Sequence, residues 1–341
     1  MTTLHMNLDK RGYDIHIGRG LLDKAGELFC LKRRTFIVTD SGVPKEYAER
    51  IAACAEVAKI VTVDEGEGAK SLEVYGRLLT EMAEFGLTRT DCAVAVGGGV
   101  VGDLVGFLSA SYMRGIDFYN VPTTVLSQVD SSIGGKTAIN LSGIKNIVGA
   151  FHQPKGVIVD IDTLATLPKR QVANGLAEAL KMSLTSDAEL FSLFENEEIS
   201  DSNIERVITS ALKIKKAVVE EDECEAGLRK ILNFGHTFGH AVEAAENMHG
   251  LYHGECVAIG MLPVSSPEVR ARLVPVLKKL GLPCSYGGDI QAALSFISHD
   301  KKCDGDKISV VLVKKIGSFE IKKMNVSEFA EMVKNTAFFE V

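Results

Sequence analysis

The chain has 341 residues, 46% apolar and 24% charged, a length for about two globular domains and a composition that excludes disorder, collagen-like sequence and coiled coil as its main state. Its 38 Lys and Arg against 45 Asp and Glu give a formal charge of −7, which argues against a protein built to coat nucleic acid or an anionic membrane. Seven scattered cysteines without a CxxC pair read as reduced thiols of a cytoplasmic protein, not as a disulfide or thiolate-zinc framework.

In chain order, the first twenty residues carry Asp9, Lys10, Arg11 and Asp14 and no apolar signal core, so no export is expected. Short β-rich runs follow at 13–17, 35–39, 59–63, 92–96, 118–121 and 157–159, with helical spacing between them at 43–53 and 71–85. Such alternation predicts an α/β domain with a mostly parallel sheet. The run at 92–102 is the longest nearly apolar one, yet it holds four glycines and stops at Asp103, so it cannot span a bilayer. From about residue 170 long stretches (171–182, 203–219 and 228–247) repeat apolar residues every three or four positions and predict a mainly α-helical domain. A late strand at 308–313 and a helix near 326–335 close the chain, giving expected domains of 1–169 and 170–341.

Two glycine clusters suggest phosphate chemistry. Gly97, Gly99 and Gly102 satisfy G-x-G-x-x-G between a buried-type strand and a helix, where the backbone must turn tightly and let a pyrophosphate approach the helix N-terminus. The motif is weak alone, because a tight strand–helix turn needs no ligand. It also comes after three strand–helix units, so the ordinary Rossmann order is not expected. Gly134, Gly135, Lys136 and Thr137 end like a P-loop, but that motif needs glycine at position 130, where Asp130 stands. Lys136 can still meet a phosphate as a point charge.

The segment 228–240 places Arg229, Asn233, His236 and His240 at i, i+4, i+7 and i+11, as though on one helix face. A half-buried histidine pair would explain the imidazoles without a ligand. However, His253 opens another helical segment, and Glu178 and Lys181 stand three apart in an otherwise apolar stretch. One Glu and two His would give a catalytic metal three ligands and an open position. Spacing leaves open whether His236, His240 or both are ligands.

With these residues in view, the sequence resembles the 3-dehydroquinate synthases, sugar-phosphate cyclases of the shikimate pathway. The likeness runs through 97–103, 112–114, 121–124, 128–136, 145–146, 175–181, 227–240 and 253–260, nearly the whole chain. It implies an NAD-binding α/β domain, a helical metal-binding domain and an active site in the cleft between them. It implies Glu178, His236 and His253 as ligands of one divalent metal, zinc or cobalt. The implied NAD contacts are Asp40, Glu65, Gly66, Glu67, Gly68, Ala69, Lys70, Gly99, Val100, Val101, Gly102, Asp103, Thr123, Thr124, Lys136, Lys145, Thr163, Leu164, Ala165 and Thr166.

The implied substrate contacts are Arg114, Lys136, Lys145, Asn146, Lys215, Arg229, Asn233, His240 and Lys302, with the choice between Lys301 and Lys302 left open. Asp130, Lys136, Lys181, Lys215, Asn233 and His240 are the implied catalytic set, and Arg114 is expected to reach a neighbouring subunit in a homodimer. In one departure, Pro263 and Pro267 fall where the family continues a long helix, and they should break it.

The implied reaction converts 3-deoxy-D-arabino-heptulosonate 7-phosphate to 3-dehydroquinate and phosphate, with NAD⁺ restored in each turnover. Arg114, Lys136, Lys145, Lys181, Lys215 and Arg229 would supply the cationic pocket that an anionic sugar-phosphate acid needs. The alternatives are another sugar-phosphate cyclase, a metal-dependent polyol dehydrogenase that accumulates NADH, and a non-catalytic NAD-sensing protein. An open metal site would be needless in the last.

Overall fold

The computed structural model describes residues 1–246, 250–297 and 307–336 and divides the chain into two units, Met1–Leu167 and Pro168–Val341. The first contains strands β1 (Thr2–Met6), β2 (Tyr13–Gly18), β3 (Arg34–Asp40), β4 (Val57–Val63), β5 (Cys92–Gly97), β6 (Asp117–Pro122), β7 (Lys136–Leu141), β8 (Ile144–Phe151) and β9 (Gly156–Asp160). Its helices are α1 (Ala25–Leu28), α2 (Lys45–Ala52), α3 (Leu72–Glu84) and α4 (Gly99–Ser111). Seven strands form one sheet in the order β1-β2-β9-β6-β5-β3-β4, parallel except for β1 against β2.

Every residue of β5 and β9 is buried, as expected of strands covered on both faces. Alternate residues feed two cores, Phe36, Val38 and Ala95 into one and Ile37, Val94 and Val96 into the other. This α/β unit and its parallel sheet are the class read from the sequence. Within it, β4-β3-β5-β6-β9 run in the 2-1-3-4-5 order of a doubly wound sheet, so the connections reverse direction between β3 and β5. That order sets the glycine motif, which follows β5, at the switch point beside β3. β7 and β8 form a separate antiparallel hairpin led by Gly134 and Gly135 at φ 92° and 67°. Lys136 therefore opens a strand instead of a P-loop helix.

The second unit contains α5 (Lys169–Ser186), α6 (Ala188–Asn196), α7 (Ile204–Glu221), α8 (His236–Ala245), α9 (His253–Met261), α10 (Pro267–Lys279), α11 (Ile290–Ile297) and α12 (Val326–Thr336). A hairpin of β10 (Lys307–Leu312) and β11 (Glu320–Asn325) accompanies these helices. All residues of α5 from Asn174 to Thr185 are buried, so this helix lies inside its unit. Among the described residues, no helix is long and apolar enough to cross a membrane.

One expectation needs correction. Arg229 and Asn233 do not share a helix face with His236 and His240. They lie on a 3₁₀ stretch, Leu228–Asn233, which ends before Gly235 turns the chain at φ 77° and α8 begins. A side chain at Gly235 would meet Met261 Cγ at 2.7 Å and Val257 O at 2.9 Å, so the break lies where α9 crosses closely. The break predicted at the prolines is present: α9 ends at Met261, and Pro267 opens α10 as its first residue.

Candidate functional site

In the first unit, residues from distant parts of the chain collect at the carboxyl ends of parallel strands, the usual ligand-binding edge of such sheets. Asp40 ends β3, the turn 65–70 follows β4, Gly97 ends β5, Thr123 and Thr124 follow β6, and the 3₁₀ stretch Ile161–Thr166 follows β9. A Cβ on Gly97 would lie 3.4 Å from Asp40 Oδ2, which places Asp40 and the glycine turn together at the β3/β5 switch point. Burial pushes the Asp40 carboxyl up, and Glu65 pushes in the same direction against hydrogen bonds from the Gly42 and Val43 amides.

Around this edge two buried side chains tie the turns together. Lys70, 3% exposed, donates from Nζ to Asp103 Oδ2 at 2.6 Å and to Asn146 Oδ1, so the turn after β4, α4 and β8 meet at one ammonium. Gln128 donates to Pro122 O, Asp160 O and Thr163 Oγ1 and links the segments after β6 and β9. Lys136 is exposed at the start of β7 and Lys145 half-buried on β8, while Asp130 is half-buried in the single π-turn Ser127–Ser131. Arg114 is exposed in the turn Tyr112–Arg114, where Met113 and Arg114 both take positive φ.

In the second unit α5, α8 and α9 bring four candidate ligands together. Glu178 is fully buried on α5, and its Oε2 accepts from the equally buried Lys181 Nζ one turn on. Burial of two charges is tolerable only when they are paired. Glu178 Oε1 is buried without a hydrogen bond and lies 3.4 Å from His253 Nε2 and 3.7 Å from His236 Nε2. Ligand nitrogens of His236, His240 and His253 lie within 4.8 Å of one another. The geometry thus adds His240 to the neighbourhood of the three ligands that the family resemblance implies.

The electrostatics favour a cation here. Burial would raise the Glu178 carboxyl, but Lys181 and His253 outweigh it and hold it at about 2, so the group is ionised. Burial opposes charge on His253, but Glu178 and Glu243 outweigh it and raise the ring to about 10. A field that holds a proton so firmly also attracts a divalent ion. One orphaned carboxylate oxygen facing imidazole nitrogens suits zinc or cobalt in chemistry and ligand number.

Two further side chains fix this arrangement, and sequence reasoning did not find them. Arg170 on α5 clamps Glu255 on α9 through two bonds of 2.7 Å, and its guanidinium lies 4.1 Å from the Tyr252 ring centroid. Asn174 accepts from Gly254 N at 2.6 Å. Their signal was present in the spacing, because 170, 174, 178 and 181 share one face of α5.

Close by in sequence, Arg229 is 2% exposed; its backbone N donates to Asp222 Oδ2 at 2.9 Å, and its guanidinium donates to Glu223 O. Asn233 Nδ2 donates to Glu225 Oε1 at 2.6 Å, and Lys215 is buried on α7. Lys301 and Lys302 lie outside the described residues.

Residues 60–174 match the family described as 3-dehydroquinate synthase N-terminal, and residues 175–303 match 3-dehydroquinate synthase C-terminal. A 3-dehydroquinate synthase of Streptococcus sanguinis (strain SK36) is 40% identical over 352 residues, covering 97% of this chain and 99% of its own. A 2-deoxy-scyllo-inosose synthase solved with carbaglucose-6-phosphate, NAD⁺ and Co²⁺ superposes with a TM-score of 0.87 at 27% identity, over 98% of this chain and all of the other. A 2-epi-5-epi-valiolone synthase from Streptomyces hygroscopicus subsp. jinggangensis 5008, solved with NAD⁺ and Zn²⁺, gives 0.86 at 28% identity, over 96% of this chain and 97% of the other.

Proposed function

The chain belongs to the 3-dehydroquinate synthase family, and from that premise we propose the following account of its reaction. It is a 3-dehydroquinate synthase that uses NAD and one divalent metal. The substrate is 3-deoxy-D-arabino-heptulosonate 7-phosphate, and the reaction class is that of a phosphate-eliminating carbon–oxygen lyase. One hydroxyl is oxidised, the acidified neighbouring C–H is lost as phosphate leaves, the ketone is reduced again, and ring opening with an intramolecular aldol step closes the carbocycle. The observation that carries this reading is Glu178 Oε1, buried without a hydrogen bond and facing two imidazoles, in a chain 40% identical along its length to a synthase.

When bound, NAD⁺ and the metal ion supply hydride transfer and polarisation of the hydroxyl being oxidised. Glu178, His236 and His253 would hold the ion. The turns at the carboxyl ends of β3, β4, β5, β6 and β9, with Asp40, Lys70, Gly99 to Asp103, Thr123, Thr124 and Thr163 to Thr166, would hold the dinucleotide, and the N-terminus of α4 offers backbone N–H groups to its phosphates. Arg114, Lys136, Lys145, Lys215 and Arg229 bind the phosphate and carboxylate, and Asn146 and Asn233 orient the hydroxyls. Lys181 keeps Glu178 ionised. His240, beside His236 and His253 at ring-centroid distances of 5.0 and 5.7 Å, takes up and returns the proton of the reacting hydroxyl, and Asp130 supports that transfer. The domains 1–169 and 170–341 divide these tasks into cofactor and metal handling, and a homodimer brings in Arg114.

The test is incubation of the purified protein with the heptulosonate phosphate and NAD⁺ well below substrate concentration. Phosphate and 3-dehydroquinate should form in equal amounts and far exceed any NADH. NADH accumulating with no phosphate release would overturn the reading in favour of a polyol dehydrogenase.

A further inference from the structure

His236 and His253 present the same ring nitrogen to Glu178, but their other nitrogens are anchored differently. His236 Nδ1 lies 3.1 Å from the backbone oxygen of Phe234, two residues away. His253 Nδ1 lies 3.3 Å from Glu243 Oε2, a side chain on another helix. Glu243 follows His236 by seven residues and His240 by three on α8, so one face of that helix carries two imidazoles and the carboxylate. An ionised carboxylate only accepts, which makes Nδ1 of His253 the donor and leaves Nε2, which faces Glu178, as the nitrogen that a metal ion would take in place of its proton. The backbone of His253 is held separately, through Asn174 to Gly254 and Arg170 to Glu255. What Glu243 sets is therefore the ring, not the helix.

We propose that Glu243 is a positioning residue of the metal centre, fixing the tautomer and tilt of His253 and adding a second negative charge beside Glu178. This inference rests on the reading of Glu178, His236 and His253 as ligands. An outer carboxylate of this kind raises the basicity of its histidine and limits the ring's rotation, effects worth about 10–100-fold in metal affinity. A surface carboxylate that only solubilises α8 would have no such effect.

The experiment is cobalt(II) titration of metal-free wild type, Glu243→Ala, Glu243→Gln and Glu178→Gln, read by chelator competition and by the visible absorption of the bound ion. Glu243→Ala should bind cobalt about 10–100-fold more weakly than wild type, with altered absorption bands. Glu243→Gln should recover part of the loss, because its amide oxygen still accepts from Nδ1–H. NAD⁺ affinity close to that of wild type checks folding, and if the alanine variant does not fold, the isosteric glutamine variant decides. Wild-type cobalt affinity and bands in a folded Glu243 variant would overturn the proposal. Wild-type affinity in Glu178→Gln would instead overturn the ligand reading on which it rests.

Discussion

Asn174 Oδ1 accepts the amide hydrogen of Gly254 at 2.6 Å, so the helix that carries Glu178 also satisfies a first-turn donor of the helix that carries His253. Helix starts leave such donors without intrahelical partners. Gly254 is required there, because a Cβ would lie 2.0 Å from Asn174 O. Two ligands on different helices are thereby held by one short contact.

Asn174→Ala removes that acceptor and leaves a buried N–H, at a cost of about 1–3 kcal/mol. Urea unfolding should show the loss, and cobalt affinity should fall with it, while NAD⁺ affinity is retained. An unfolding curve superimposable on wild type would show that the bond does not hold α9.

Gly260→Ala tests the crossing of α8 and α9. A Cβ there would meet Gly235 O at 1.9 Å and Gly239 N at 2.7 Å, both backbone atoms. The two helices must separate to admit it, which moves His236 away from His253. Destabilisation near the upper end of the usual 1–3 kcal/mol for overpacking, about 3 kcal/mol, is expected together with loss of bound metal. Undiminished metal content would contradict the crossing geometry.

The parallel strands were readable because burial on both faces writes a continuous apolar run, as at β5 and β9. The β7–β8 hairpin was not, since only some of its positions are covered and its glycine turn imitates a phosphate loop. Apolar periodicity ran through Gly235 without a break, so the turn before α8 was invisible, although glycine at a positive φ causes it. Glu178 stood out as a charge in an apolar helix. Glu243 did not, because an acidic residue on a helix flank is ordinary until its distance from His253 is known.

Proton release should accompany metal uptake. Burial resists charge on His253, yet Glu178 and Glu243 raise it to about 10, so the metal-free protein holds that proton at neutral pH. Glu178, held at about 2, is already ionised and releases none. A metal must displace the His253 proton, so affinity rises as pH increases toward 10 and falls as pH drops, by up to about tenfold per unit. Titration calorimetry at pH 7.5 in buffers of different ionisation enthalpy should give about one proton released per ion from this residue. No buffer dependence would mean that His253 is neutral before binding.

Arg229 gives the last prediction. It is 2% exposed, so a solvent-facing role is ruled out, and its backbone is held by Asp222 on the 3₁₀ stretch. One end of its guanidinium donates to Glu223 O, which orients the planar fork. A guanidinium holds a carboxylate or phosphate through paired charge-assisted bonds worth about 1.5–3 kcal/mol each. Arg229→Lys keeps the charge and loses the fork. kcat/KM should fall about ten- to a hundredfold, at about 1.4 kcal/mol per decade, while metal content and NAD⁺ affinity stay near wild type. A purely structural role would lower stability and metal content along with activity. Steady-state kinetics beside a metal assay and an unfolding curve separates the two, and wild-type kcat/KM in the lysine variant would remove Arg229 from the substrate's contacts.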